Sequence, residues 1–221
     1  MELQKNIGYV TLLLTMIAGY CDTVTFVAAD SIFSAHVTGN FIVFAYQIIK
    51  GSEIHAWIKL LTFPVFIIAV ITGGRIALKA TNRYTLLFWE GVLLLLSGIA
   101  SYVFGYMDIF TEWAMYAVAL TTVFGMGLQN AFGKLYSKET HGPTTMMTGN
   151  VTQAALDLGN LIKNGFKDPE VIVSFKKQLL TIIGFLIGCF LGAIAGKLFG
   201  LGTLIIPGVA MIICYLYHRN N

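Results

Sequence analysis

Residues 38–50, TGNFIVFAYQIIK, and residues 148–163, TGNVTQAALDLGNLIK, open on the same tripeptide, 110 positions apart. Upstream of each lies a second matched pair, GYCDT (Gly19 to Thr23) and GLQNA (Gly127 to Ala131). Aligning them sets Asp22 opposite Asn130 and leaves two extra residues in the second connecting loop. The chain therefore reads as one unit used twice, repeat 1 over about 1–105 and repeat 2 over about 112–218, within a single membrane domain spanning 1–221. In membrane proteins such duplication marks a pathway built where two repeats meet.

Composition places the chain in a bilayer. Hydrophobic residues make up 57% and charged residues 11%, against about 25% charged in a soluble domain. Six stretches approach the ~20 residues a crossing helix needs: roughly 7–27, 58–79, 85–105, 112–132, 177–198 and 201–218. No cleavable signal peptide is evident, so the first stretch reads as a membrane helix. The net charge of +3 gives no reason to expect nucleic acid. Cys21, Cys189 and Cys214 lie inside apolar runs and lack metal-ligand spacing, which makes them packing residues rather than disulfides or a metal site. No catalytic or cofactor motif is present, so neither an enzyme nor a cofactor is expected.

Charge distribution decides how the TGN segments run. With six spans and a cytoplasmic N-terminus, the inside holds Lys5, Arg75, Lys79, Arg83, Lys134, Lys138, Lys163, Lys167, Lys176, Lys177 and Arg219, leaving Lys50, Lys59 and Lys197 outside. Counting the TGN segments as full spans evens out the two sides, contrary to the positive-inside rule. Gly142-Pro143 breaks a helix, and Glu139 and His141 are costly in hydrocarbon. The expected fold is thus all-α integral membrane: two inverted repeats of three transmembrane helices, each with a re-entrant TGN half-helix.

A helix starting at Thr38 or Thr148, capped by threonine, leaves N–H groups for a solute. Thr38, Gly39, Asn40, Thr148, Gly149 and Asn150 are the expected binding residues, with Gln129 and Asn130 adding neutral hydrogen bonds. Asp22, an acid late in the first span, is the expected coupling group, joined by His36 and Asp157. Asn150, Gln153, Asp157 and Asn160 form a polar stripe that would face protein or water. Small polar residues also serve plain helix packing, which is the competing reading of TGN. Arg75 and Glu90 flank one short turn at similar depth and are expected to pair. Gly184, Gly188, Gly192, Gly196 and Gly200 make a smooth face suited to internal packing, and it also admits a homodimer.

The patterns GYCDTVTF (Gly19 to Phe26), HVTGN (His36 to Asn40), GLQNA and TTMMTGN (Thr144 to Asn150) resemble the YoaK-like family of bacterial transmembrane proteins, whose function is unknown. The resemblance covers nearly the whole chain. It implies a multi-pass protein of the bacterial cytoplasmic membrane and brings no substrate. The residues favour a secondary transporter or channel for a small polar or anionic solute, coupled to protons or a cation. The other reading is a non-transporting scaffold or regulatory subunit.

Overall fold

A computed structural model describes residues 2–51 and 55–219, with side chains from Asn6 onward. The side chain of Lys5, one of the charges assigned to the inside, lies outside the described residues, as do residues 1, 220 and 221 of the expected domain. Among the described residues eight α-helices follow in order: α1 Glu2–Ala28, α2 Gly39–Lys50, α3 Ile58–Lys79, α4 Thr85–Tyr106, α5 Glu112–Leu135, α6 Met147–Lys163, α7 Pro169–Phe199 and α8 Ile205–Arg219. A short 3-10 turn, Gly200–Leu204, joins the last two. No strand occurs among the described residues.

Helices stand at all six predicted spans, and α2 and α6 are the two TGN segments. Among the described residues four stretches can cross a membrane by length and composition: Asn6–Ala28, Ile58–Lys79, Thr85–Tyr106 and Pro169–Arg219, the last holding both α7 and α8. The fifth helix is not one of them. It carries Thr121, Thr122, Gln129, Asn130 and Lys134, and buries much of its length against its neighbours.

Small residues set the packing. α1 lies along α7 in the most extensive helix contact of the molecule. Gly184, Gly188 and Gly192 are buried in that seam, and a Cβ on Gly188 would collide with the main chain of Met16. Gly19 meets Phe185 in the same way from the α1 side. The glycine face is therefore used inside the molecule, as expected. Its last member differs: Gly200 has φ +61° and ends α7, which only a residue without a side chain does without strain. The α3–α5 seam repeats the device, with Gly127 against Ala69 and Phe66, and the α4–α8 seam uses Gly91, Gly98 and Gly208. α6 lies on α7 and α2 on α3.

The expected Arg75–Glu90 pair does not form. Glu90 is wholly buried with neither carboxylate oxygen hydrogen-bonded, while Arg75 is exposed. Similar depth on antiparallel helices is not enough, because Glu90 is turned into the core while Arg75 stays at the surface. Lys59, counted among the outside charges, is instead wholly buried.

Candidate functional site

Each TGN helix follows a loop that folds back along the helix before it. After α1, residues 35 and 36 return to Asp22, whose Oδ1 accepts from the main-chain N–H of Ala35 (2.7 Å) and His36 (3.1 Å). Asp22 lies six residues before the end of α1, so the loop descends about 9 Å at 1.5 Å per residue. After α5 the arrangement is similar. Asn130 Nδ2 donates to Thr145 Oγ1 (2.7 Å), and Gln129 Nε2 donates to Thr144 Oγ1 and to Leu14 O, both at 3.0 Å. The alignment that set Asp22 opposite Asn130 also sets Ala35 opposite Thr145, so equivalent positions meet in both halves.

The TGN asparagines then fasten these loops. Asn40 Nδ2 donates to Phe33 O (2.8 Å) and to Thr62 Oγ1 (3.0 Å), while its Oδ1 accepts from Phe33 N (2.8 Å). Asn150 Nδ2 donates to Pro143 O (2.8 Å), again seven residues upstream. Pro143 has no N–H, so the return bond is missing in the second loop. Both asparagines are buried.

These bonds correct the capping expectation. Thr38 makes no side-chain cap bond, and the N–H groups of Gly39, Asn40 and Phe41 are taken up by turns to His36, Val37 and Thr38. α6 begins at Met147 with Met146 as its cap, so Thr148 and Gly149 sit within its first turn. Both are exposed. None of the cavities described below is lined by both helix starts among the described residues. The loop before α2 engages α1 at Asp22, and the loop before α6 engages α1 at Thr11 through the N–H of His141. Thr11 and Asp22 are eleven residues apart, about 16 Å along the helix. Of the polar stripe, Asn150 and Asp157 are buried while Gln153 and Asn160 are exposed. Asp157 accepts from Gln153 Nε2 (2.8 Å) and Ser174 Oγ (2.6 Å), tying α6 to α7. The side chain of His36 is exposed.

Two carboxylate clamps escaped the sequence reading. In the loop after α1, Asp30 pairs with Lys59, accepts from Tyr116 Oη at 3.2 Å and meets Gln47 Nε2 at 3.4 Å. In the loop after α5, Glu139 pairs with Arg83 and accepts from Tyr84 Oη at 2.7 Å. Each acid is held by one cation and one tyrosine hydroxyl. Burial, then the bond to Glu139, push the Tyr84 hydroxyl above the ordinary tyrosine value. Nearby, burial and then the charge of Lys177 hold His141 below the ordinary histidine value. The signal available in sequence was Asp30 and Glu139 themselves, acids soon after a span on a chain with few of them.

Two cavities lie at the Glu139 end. One of about 650 Å³ is lined by Asn82, Arg83, Tyr84, Glu139, His218 and Arg219 among others. His218 stacks on Tyr84 with ring centroids 4.3 Å apart. The second, about 230 Å³, is lined by Gln129, Asn130, Lys134, Thr144 and Thr145 among others. Four of the expected and neighbouring polar residues thus share a cavity, without any residue of the first TGN loop. Arginine and lysine side chains with neutral amide and hydroxyl donors suit a small anion or polar solute.

A helical protein of membrane type with two anchored loops is what the fold defines. The chain belongs to the family described as "Protein of unknown function (DUF1275)", whose family model matches residues 10–217, and the YoaK-like proteins are part of that family. No curated protein and no solved structure is detectably similar to it.

Proposed function

We propose that this protein is a secondary carrier for a small polar or anionic solute in the bacterial cytoplasmic membrane. The observation that carries the reading is the pair of clamps, Asp30–Lys59–Tyr116 and Glu139–Arg83–Tyr84, on loops that meet α1 at different ends of its length. A carrier needs a closure on each side of its solute, opened one at a time. Ion pairs that hold folded-back loops are suited to that, because each has two discrete states, paired and parted.

Inverted repeats and re-entrant α2 and α6 belong to this proposal. The support is reciprocal: α1 of the first half packs on α7 of the second, and α5 packs on α3, with Gly19 and Gly127 at the two seams. Asn40 to Phe33 and Asn150 to Pro143 repeat one bond in both halves. In this reading the solute sits by Gln129, Asn130, Thr144 and Thr145, and Asp22 holds its loop rather than carrying a proton. The scaffold alternative loses its best surface, since the glycine face is occupied by α1.

The test is solute flux into proteoliposomes, screened over small inorganic and organic anions and neutral polar solutes. The reading expects saturable flux of at least one class, reduced at least tenfold by Gln129→Leu and Thr144→Val together. Flux of every class at the level of empty liposomes contradicts it.

A further inference from the structure

Glu90 is a fully buried acid at 0% exposure, and neither of its carboxylate oxygens has a hydrogen-bond partner among the described residues. Gln129 Oε1 is likewise buried without a partner. Both belong to the α4–α5 seam. A Cβ on Gly125 would stand 3.8 Å from Glu90 Cγ, and Gln129 lies one helical turn beyond Gly125 on α5. Three buried acceptor oxygens therefore lie along this seam, none with a hydrogen-bond partner among the described residues.

Every element packed on α4 offers the same answer about charge. α1 brings Cys21 and α8 brings Cys214 as the ionisable neighbours of Glu90. The facing part of α5 brings Gly125 and Gln129, neither ionisable. The 3-10 turn GLGTL has no ionisable side chain, and Arg75 of α3 is exposed and unpaired with Glu90. Asp22, next to Cys21, is committed to the loop N–H groups. Among the described residues no cation pairs with the acid.

We propose that Glu90 is a proton-binding carboxyl, loaded along the groove between α1 and α8. A proton supplies the donor that the site lacks: the carboxylate takes up one H⁺, and its new O–H serves Gln129 Oε1, with no other bond made or broken. A bare charge here would be costly. A divalent ion would need about six oxygens, more than the three present. The groove supplies the route. It holds about 470 Å³; its wall is mostly apolar, with Val10, Leu13, Ala210 and Ile213, and Asn6, Cys214 and His218 are the polar positions along it. His218 also lines the larger polar cavity, with Nδ1 2.8 Å from Cys214 O and Nε2 3.1 Å from Asn6 Oδ1. Thus the polar cavity reaches, through His218 and Cys214, the neighbourhood of Glu90. Coupling of this proton to solute movement rests on the carrier reading; the site itself does not.

Infrared difference spectra of the full-length protein in nanodiscs, titrated with acid and base, test this. A carboxylic-acid C=O band is expected at neutral pH, present in wild type and Asp22→Asn and absent in Glu90→Gln. His218→Ala should slow the hydrogen–deuterium shift of that band at least threefold. Gln129→Leu, which needs no change at Glu90, should move it to the frequency of a carboxyl without an acceptor. Absence of a Glu90-dependent band overturns the proposal. So does its loss on adding sodium at constant pH, which would make the ligand a metal cation. An unmoved band in Gln129→Leu, or unchanged exchange in His218→Ala, overturns the acceptor or the route. Failure of the flux screen with this band intact counts against the carrier reading alone.

Discussion

Asn40 bonds both main-chain polar groups of Phe33, seven residues upstream, at 2.8 Å each. One side chain so closes the loop between α1 and α2. Asn40→Ala leaves a buried N–H and C=O unserved, and each such group costs about 1–3 kcal/mol. The variant should lose a few kcal/mol in thermal or denaturant unfolding in detergent. Asn150→Ala breaks a single bond to Pro143 and should lose about half as much. Equal losses would mean that the missing N–H of Pro143 is without consequence.

The Asp30–Lys59 pair makes a second comparison. Lys59 is at 0% exposure, and its ring neighbour Tyr116 lies 5.9 Å from Nζ. Removing one partner of a buried pair costs about 3–5 kcal/mol, whereas replacing both with uncharged side chains is often neutral. Lys59→Met should therefore unfold at lower denaturant than wild type, and Asp30→Asn with Lys59→Met should recover most of the loss. A double variant no better than the single one would show that the cation acts through its shape.

Glycines separate by what they face. Gly188→Ala drives a methyl into the main chain of Met16, which cannot move aside as a side chain would. Overpacking of this kind costs about 1–3 kcal/mol or more. Gly74, in α3, has nothing within 4 Å of an added Cβ. Gly74→Ala should be neutral or stabilising by up to about 1 kcal/mol, since alanine favours the helix. Melting curves of the two variants side by side check this.

Topology follows from the charge distribution and is open to single-cysteine labelling. Lys50 should label from outside, and Lys138 and Lys163 from the cytoplasm, once replaced by cysteine in a background lacking Cys21, Cys189 and Cys214. All three are exposed. Lys59→Cys is unsuitable because the position is buried. If positions 138 and 163 labelled from opposite sides, α6 would be a full span.

Much of this architecture was legible in the chain. Apolar runs fix helices because only a helix satisfies the backbone in hydrocarbon, so α1, α3, α4, α5, α7 and α8 fell where expected. The duplicated tripeptide marked α2 and α6. Its chemistry was not legible: whether an asparagine caps a helix or pins a loop depends on whether the loop doubles back to it. Lys59 looked like a surface charge because Asp30, 29 residues earlier, meets it only after α2 has folded over. Glu90 and Arg75 were matched by depth, but the rotation of each helix about its axis sends one inward and the other out. That rotation depends on small residues such as Gly73 and Gly91 at the seams, whose partners no single sequence names.

The central claim is that the two clamped loops open in alternation, and the labelling rate of Ser137→Cys measures it most directly. Ser137 is exposed, close to Glu139 in the chain and among the residues that line the smaller cavity. Freeing one closure of a two-state carrier shifts its population toward the state open on that side. Asp30→Asn should therefore slow thiol labelling at position 137 at least threefold, although the two sites lie in different loops, and Glu139→Gln should speed it. A rate unchanged by Asp30→Asn, or raised by both variants, would contradict alternation and leave two independent anchors.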